Sequence, residues 1–90
     1  MMLFALGRLL ATPGALERLR RHGETPERYL DRHAAGDWGT VSPADSNANQ
    51  RALLCGDRIM SSYTLGEDGT LWIITEANRA STTLLLPEEY

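Results

Sequence analysis

The chain has 90 residues, of which 42% are hydrophobic and 23% charged, and its formal net charge is −3. This size predicts a single domain over residues 1–90 and excludes enzymes that need separate cofactor and substrate domains. No apolar stretch approaches the length of a membrane span, and Arg8 interrupts the apolar opening segment, so we expect neither a membrane association nor a signal peptide. The lone Cys55 cannot form an internal disulfide, which favours a cytoplasmic location.

The charge is unevenly distributed along the chain. Residues 1–33 hold six arginines against four acidic residues, a net charge of +2, whereas residues 34–90 hold three arginines against eight acidic residues, a net charge of −5. Because binding a polyanion requires substantial positive potential, the acidic remainder argues against nucleic acid covering the whole surface. It leaves nucleic-acid binding by the arginine-bearing helices as an alternative.

Three helices are predicted in residues 1–57, each with proline in its first turn and glycine after its end. Their start and stop signals are Thr12-Pro13 to Gly23, Thr25-Pro26 to Gly36, and Ser42-Pro43 to Gly56. Residues 3–11 are predicted as a short strand or an extended lead-in. The third helix carries a stripe of small residues, which we expect to pack closely and which favours a homodimer: Ala44, Ala48, Ala52 and Cys55.

Residues 58–90 change to a period of two, which is typical of strands. Alternating residues over 59–65, a turn at Gly66–Gly69, a strand over 70–76 that is apolar on both sides, and a strand over 81–86 predict an antiparallel meander. The fold class is therefore α+β, with about three short helices packed on one face of a three-stranded antiparallel sheet.

The loop Asp37-Trp38-Gly39 is a candidate binding segment between the second and third helices. A tryptophan flanked by Asp and Gly can contact a partner, and the alternative is an indole that fills the gap between helices and sheet. Together with Arg28 and Arg32 on the preceding helix, it forms a candidate contact surface.

His33 is the candidate acid–base residue, because histidine titrates near neutral pH. The alternative is a histidine packed beside Tyr29 on a helix face. No Cys-x-x-Cys or His-x-x-x-His spacing is present, so we expect no metal and no cofactor.

The segment from Ile74 to Thr83 clusters polar groups around one connection between strands. Arg79 beside Glu76 and several hydroxyls could hold a phosphate, with Thr75 and Thr83 assisting. The alternative is a Glu76–Arg79 pair that fixes a turn, with the threonines present for their strand propensity.

Four blocks resemble short bacterial proteins of plasmids and integrative elements, known as plasmid-related proteins. The blocks are Leu6-Gly-Arg-Leu-Leu-Ala-Thr-Pro-Gly-Ala-Leu16, Arg32-His33 with Gly36-Asp-Trp-Gly39, Trp72-Ile-Ile-Thr-Glu76 with Arg79, and Thr82-Thr-Leu-Leu-Leu-Pro-Glu-Glu-Tyr90. They cover nearly the whole chain. Asn78 departs from the acidic residue usual in that family, so this position is not essential to the family's role. The resemblance implies a mobile-element setting but supplies no activity.

A looser likeness of layout links the chain to small barnase-type and toxin-type ribonucleases, which cleave RNA without metal. This likeness implies His33 or Glu76 as general base, Arg79 as the phosphate-binding residue, and Thr75 and Thr83 as assisting groups. The acidic meander argues against it, since such enzymes present a positive cleft to RNA.

Small size, polarised charge and the absence of a metal or cofactor motif favour an accessory protein that binds a macromolecular partner. A protein is the expected partner. The alternatives are the metal-independent ribonuclease and the nucleic-acid-binding module.

Overall fold

The computed structural model describes residues 2–67 and 69–90. An α+β fold is confirmed, with three α-helices and a four-stranded mixed sheet. The elements in chain order are β1 (Arg8–Ala11), α1 (Pro13–Arg21), α2 (Pro26–Ala34), α3 (Pro43–Cys55), β2 (Ile59–Thr64), β3 (Thr70–Thr75), β4 (Ser81–Leu85) and a 3-10 helix (Pro87–Glu89).

Side-chain caps begin two of the helices where the sequence predicts them. The Thr12 hydroxyl accepts a hydrogen bond from the Ala15 N–H of α1, at 3.0 Å. Ser42 likewise accepts from the Asp45 N–H of α3, at 3.1 Å. These bonds satisfy N–H groups that have no partner within the helix. At the other end of α3, Gly56 adopts a left-handed conformation with φ 76°, which stops the helix.

The sheet differs from the predicted meander by one strand. Its order is β1-β4-β3-β2, in which β2, β3 and β4 are antiparallel neighbours and β1 pairs in parallel with β4. The prediction of three strands was incomplete, because four residues show too little alternation to identify a strand. The partner of β1 also lies at the far end of the sequence, with Arg8 aligned to Ser81.

One face of the sheet, termed the helix-bearing face, forms the main core. Its residues in β2, β3 and β4 are nearly fully buried: Ile59, Ser61, Tyr63, Leu71, Ile73, Thr75, Thr82 and Leu84. Ala15 and Leu19 of α1 and Tyr29 and Leu30 of α2 pack against its apolar members. Helices α1 and α2 therefore cover this face.

The residues that alternate with these form the opposite, open face. In register they are Met60, Ser62, Thr64, Thr70, Trp72, Ile74, Ser81, Thr83, Leu85 and, on β1, Arg8 and Leu10. Ser62, Ile74 and Leu85 are buried, Thr64, Arg8 and Leu10 are exposed, and the other five are half-buried. Neither hydrophobic core cluster includes a residue of this face.

Helix α3 lies beside the edge strand β2. Its buried side chains are Asn49 and Ala52, and Ala52 joins Trp38 and Ile59 in a second apolar cluster. The prediction of a packed small-residue stripe was wrong for Ala44, Ala48 and Cys55, which are exposed. Only one turn of α3 faces the core, so most of this stripe points to solvent.

Candidate functional site

His33 lies at the centre of a buried chain of polar side chains rather than in a cleft. Its side chain is 0% exposed. Nδ1 lies 2.5 Å from Ser61 Oγ, and Nε2 lies 2.9 Å from Thr75 Oγ1. The chain continues from Thr75 to Thr82, whose hydroxyl oxygens are 2.7 Å apart, and ends at the Leu6 carbonyl. It therefore joins α2 to β2, β3, β4 and the segment before β1.

The end of this chain fixes the direction of every hydrogen bond in it. A carbonyl only accepts, so Thr82 must donate to Leu6 O, at 2.7 Å. Thr75 must then donate to Thr82, which leaves the Thr75 oxygen to accept from His33 Nε2–H. Nδ1 of neutral His33 consequently accepts from Ser61.

Burial keeps His33 neutral. Desolvation of the imidazolium lowers its pKa from 6.5 to about 4. Phe4 and Trp38 both meet the imidazole ring edge-on, with ring centroids 5.2 and 5.9 Å away, and complete its apolar surroundings. This histidine is a structural group with no surface available to a substrate.

The residues of the ribonuclease hypothesis do not converge. His33 and Thr75 lie on the helix-bearing face, whereas Thr83 is aligned with Ile74 on the open face. Glu76 follows β3 and is exposed. The geometry brings together His33 and Thr75, which are inaccessible, and does not bring Glu76 or Thr83 to them.

Arg79 holds the connection between β3 and β4 against the end of α3. Its guanidinium donates from Nη1 to the carbonyls of Asp57, Glu76 and Ala77, and from Nη2 to the Ala52 carbonyl at 2.9 Å. The contact with Glu76 is to its backbone, so the predicted side-chain pair is not what fixes this turn. Since α3 has no basic residue in its last turn, Arg79 supplies the positive charge that favours a helix C-terminus.

The helical arginines are largely paired with carboxylates. Arg20 pairs with Glu17, Arg28 with Glu24, and Arg32 with Asp37, at 2.6 to 3.0 Å. Arg18 of α1 bonds Glu88, and Arg32 also stacks over the Tyr63 ring at 4.6 Å. The Arg32 guanidinium lowers the pKa of Asp37. These pairs neutralise much of the positive potential that binding through Arg28 and Arg32 would use.

Trp38 is buried, at 5% exposed, and packs with Phe4 at a centroid separation of 6.2 Å. The geometry favours the alternative of an indole filling the gap between helices and sheet. Its Nε1–H has no hydrogen-bond partner among the described residues. The following Gly39 has φ 74° and lies against Ser62, where a Cβ would meet the Ser62 carbonyl.

The open face offers the accessible side chains that the predicted site lacks. Trp72 meets the Tyr90 ring edge-on, with centroids 5.7 Å apart, and the Arg58 guanidinium lies 5.4 Å from the centre of the same Tyr90 ring. Tyr90 is 65% exposed. Half-buried Met60 lies on the same face of the sheet, diagonal to Trp72 in the register of β2 and β3. We term Trp72, Tyr90, Arg58 and Met60 the Trp72–Tyr90 patch.

The Trp72–Tyr90 patch has no clear signal in the sequence, for a physical reason. A strand that is apolar on both sides predicts a central strand of the sheet, and this position alone does not mark Trp72 as an accessible side chain. The signal that could have found it is the helix count: two nine-residue helices and a third beside an edge strand cover only one face.

No known protein family, curated protein or solved structure matches the chain. The resemblance to plasmid-related proteins therefore stays a prediction. The described helices include none with the length and apolarity needed to cross a membrane. Within residues 2–67 and 69–90, no three His, Cys, Asp or Glu side chains form a group able to hold a metal ion.

Proposed function

We propose that this protein is a small accessory module that binds a partner protein through the Trp72–Tyr90 patch. The observation that carries the proposal is the gathering of Trp, Tyr, Arg and Met on the sheet face that α1 and α2 leave uncovered. These four residue types are enriched at protein interfaces, and Trp, Tyr and Arg contribute most often to binding energy.

The chemistry of the patch favours a partner with an apolar centre and acidic neighbours. Arg58 is exposed on the open face, and no carboxylate forms an ion pair with it among the described residues. Its guanidinium can pair with carboxylates of a partner at the rim of an interface. The role on plasmids or integrative elements implied by the resemblance is part of this proposal.

The experiment compares capture by three forms of the purified protein from cells of its own host. The forms are the wild type, the triple variant Arg58→Ser, Trp72→Ser, Tyr90→Ser, and the control Leu54→Ser. Leu54 is 89% exposed on α3, so the control removes an exposed apolar side chain away from the patch. The proposal predicts a protein retained by the wild type and the control and lost with the triple variant.

The captured protein is then purified and its dissociation constant measured by calorimetry with Trp72→Ser alone. A tenfold or greater loss of affinity supports the proposal, since removal of a central aromatic anchor costs more than 1.4 kcal/mol at a typical interface. Equal capture by all three folded forms, or capture of nothing, contradicts it. Steeply salt-dependent binding of single-stranded RNA or DNA through the patch would replace the protein partner by nucleic acid.

A further inference from the structure

Strand β1 leaves one edge of the sheet unprotected. In its parallel pairing with β4, Arg8 and Thr12 donate to the carbonyls of Ala80 and Leu84. Because backbone groups alternate along a strand, Arg8 and Leu10 face β4, and the N–H and C=O groups of Leu9 and Ala11 face outward. All four residues of β1 are exposed.

The other edge of the sheet is covered, which makes the contrast informative. The backbone N–H and C=O of Met60, on the outer side of β2, form hydrogen bonds with the side-chain amide of Asn49. The N–H of Ser62 donates to the Trp38 carbonyl, and the Ser62 carbonyl accepts from the Thr40 N–H. Proteins usually protect edge strands in such ways, because an open edge pairs with other strands. Among the described residues no group covers β1 in this way, and its central side chains are apolar, with Leu9 54% and Leu10 40% exposed.

We propose that β1 pairs antiparallel with β1 of a second copy of this chain. Two-fold symmetry with Leu10 opposite Leu10 aligns Leu9 with Ala11 of the second copy. In that register the outward groups of these two residues form four backbone hydrogen bonds. The two sheets then become one continuous sheet with the order β2-β3-β4-β1-β1-β4-β3-β2.

Charge complementarity supports this occupant and this direction. The same register places Arg8 of one copy opposite Thr12 of the other, where the Thr12 hydroxyl donates to the Glu89 carboxylate at 2.7 Å. The Arg8 guanidinium is exposed and, among the described residues, makes no ion pair. Each copy thus brings an unpaired cation to a carboxylate of the other, and the contact occurs twice.

The inference is tested on the purified protein alone, so its outcome is independent of the proposed partner protein. Sedimentation equilibrium over a wide range of concentrations is expected to show a reversible monomer–dimer equilibrium. Arg8→Glu and Glu89→Arg are each expected to weaken the dimer at least tenfold. Each substitution gives positions 8 and 89 the same charge, and these positions meet at two symmetry-related contacts of the dimer. Arg51→Glu on α3 makes the same change of charge away from the edge and should leave the dimer unchanged.

The decisive experiment measures the association of the R8E protein mixed with the E89R protein. In a heterodimer of these two, both contacts again join opposite charges, so the mixture is expected to dimerise where each protein alone does not. Leu10→Glu provides a variant that leaves the Glu89 hydrogen bonds intact. Its carboxylate would face the same carboxylate of the second copy across the two-fold axis, so this variant is expected not to dimerise. Circular dichroism verifies that each variant is folded. A monomer at every concentration, or a dimer that tolerates both L10E and R8E, overturns the proposal.

Discussion

The side-chain amide of Asn49 pairs with the backbone of Met60 as a neighbouring strand would. Nδ2 donates to the Met60 carbonyl at 2.8 Å, and Oδ1 accepts from the Met60 N–H at 3.1 Å. Asn49 is 4% exposed, so neither backbone group of Met60 could regain water without opening the contact between α3 and β2. One side chain thus attaches α3 to the sheet and covers the edge of β2.

Asn49→Ala should therefore destabilise the protein by about 2 kcal/mol, because two partly buried backbone groups lose their partners. Urea denaturation followed by circular dichroism measures this change. Asn47→Ala, at an exposed position of the same helix, is the matched control and should change stability by less than about 0.5 kcal/mol. Equal effects of the two substitutions would show that helix propensity, rather than the Met60 contact, decides the result.

The stability of the fold should decrease as the pH falls below 6.5. His33 has a pKa of about 4 when folded and 6.5 when exposed, so between these values the unfolded chain binds a proton that the folded chain does not. Stability is full above pH 6.5 and is lost progressively toward pH 4, by about 3 kcal/mol in total. Denaturation at a series of pH values measures this loss.

The carboxyl groups of Glu17, Asp37 and Glu89 have lowered pKa values and lose their stabilising contributions only below about pH 4.5. The slope between pH 4.5 and 6.5 therefore belongs to His33. In His33→Gln this slope should disappear, although the variant is less stable at neutral pH. A slope that persists in this variant would assign the pH dependence to another group.

Thr75→Val tests the buried hydrogen-bond chain without changing its shape. The valine leaves His33 Nε2–H without an acceptor and Thr82 Oγ1 without a donor, which should cost about 1–3 kcal/mol. Thr83→Val on the open face is the control, since no hydrogen bond involves its hydroxyl among the described side chains; it should change stability by less than about 0.5 kcal/mol. Thermal unfolding of the two variants measures the difference. Equal melting temperatures would show that the buried hydrogen-bond chain does not contribute to stability.

Substitutions at Arg79 compare the free-energy cost of its strained backbone with the stabilisation that its side-chain hydrogen bonds provide. Its φ of 59° lies in the left-handed region, which costs a non-glycine residue about 1 kcal/mol. Both Arg79→Gly and Arg79→Ala lose the bonds to four carbonyls, but only glycine relieves the strain. We expect the order of stability wild type, then R79G, then R79A, measured by denaturation. A glycine variant more stable than the wild type would show that the guanidinium bonds contribute less than the strain costs.

The elements of this fold were largely predictable because their signals are local. Thr12, Ser42 and Gly56 are caps that a few neighbouring residues define, and the three antiparallel strands alternate over five or six residues each. β1 was harder, since its strand character depends on pairing with β4 at the other end of the sequence. Long-range pairing has no local signature.

The candidate site was predictable only in part. The sequence predicts Thr75 either as a group that assists phosphate binding or as a threonine present for its strand propensity. In the structure Thr75 and Thr82 instead form the buried chain with His33, because the register of β3 and β4 places them side by side. The sequence predicts Trp38 as a candidate contact residue and Arg79 as a candidate phosphate-binding residue, but it does not show whether either side chain faces solvent. Burial of Trp38 and the four carbonyls around Arg79 make both of them structural.

The contact between Thr82 and the Leu6 carbonyl joins residues 76 positions apart in the chain. The ribosome synthesises β1 before β2, β3 and β4, and β4 last of the four, so the partner strand of β1 is made only after all three helices, β2 and β3. Pairings of such long range carry a high entropic cost and form late. Helices and hairpin can assemble first, and docking of residues 2–11 then closes the structure. At concentrations where the protein is monomeric, we therefore expect the amide protons of β1 to exchange faster with solvent than those of β3, which is paired on both sides by nearby sequence.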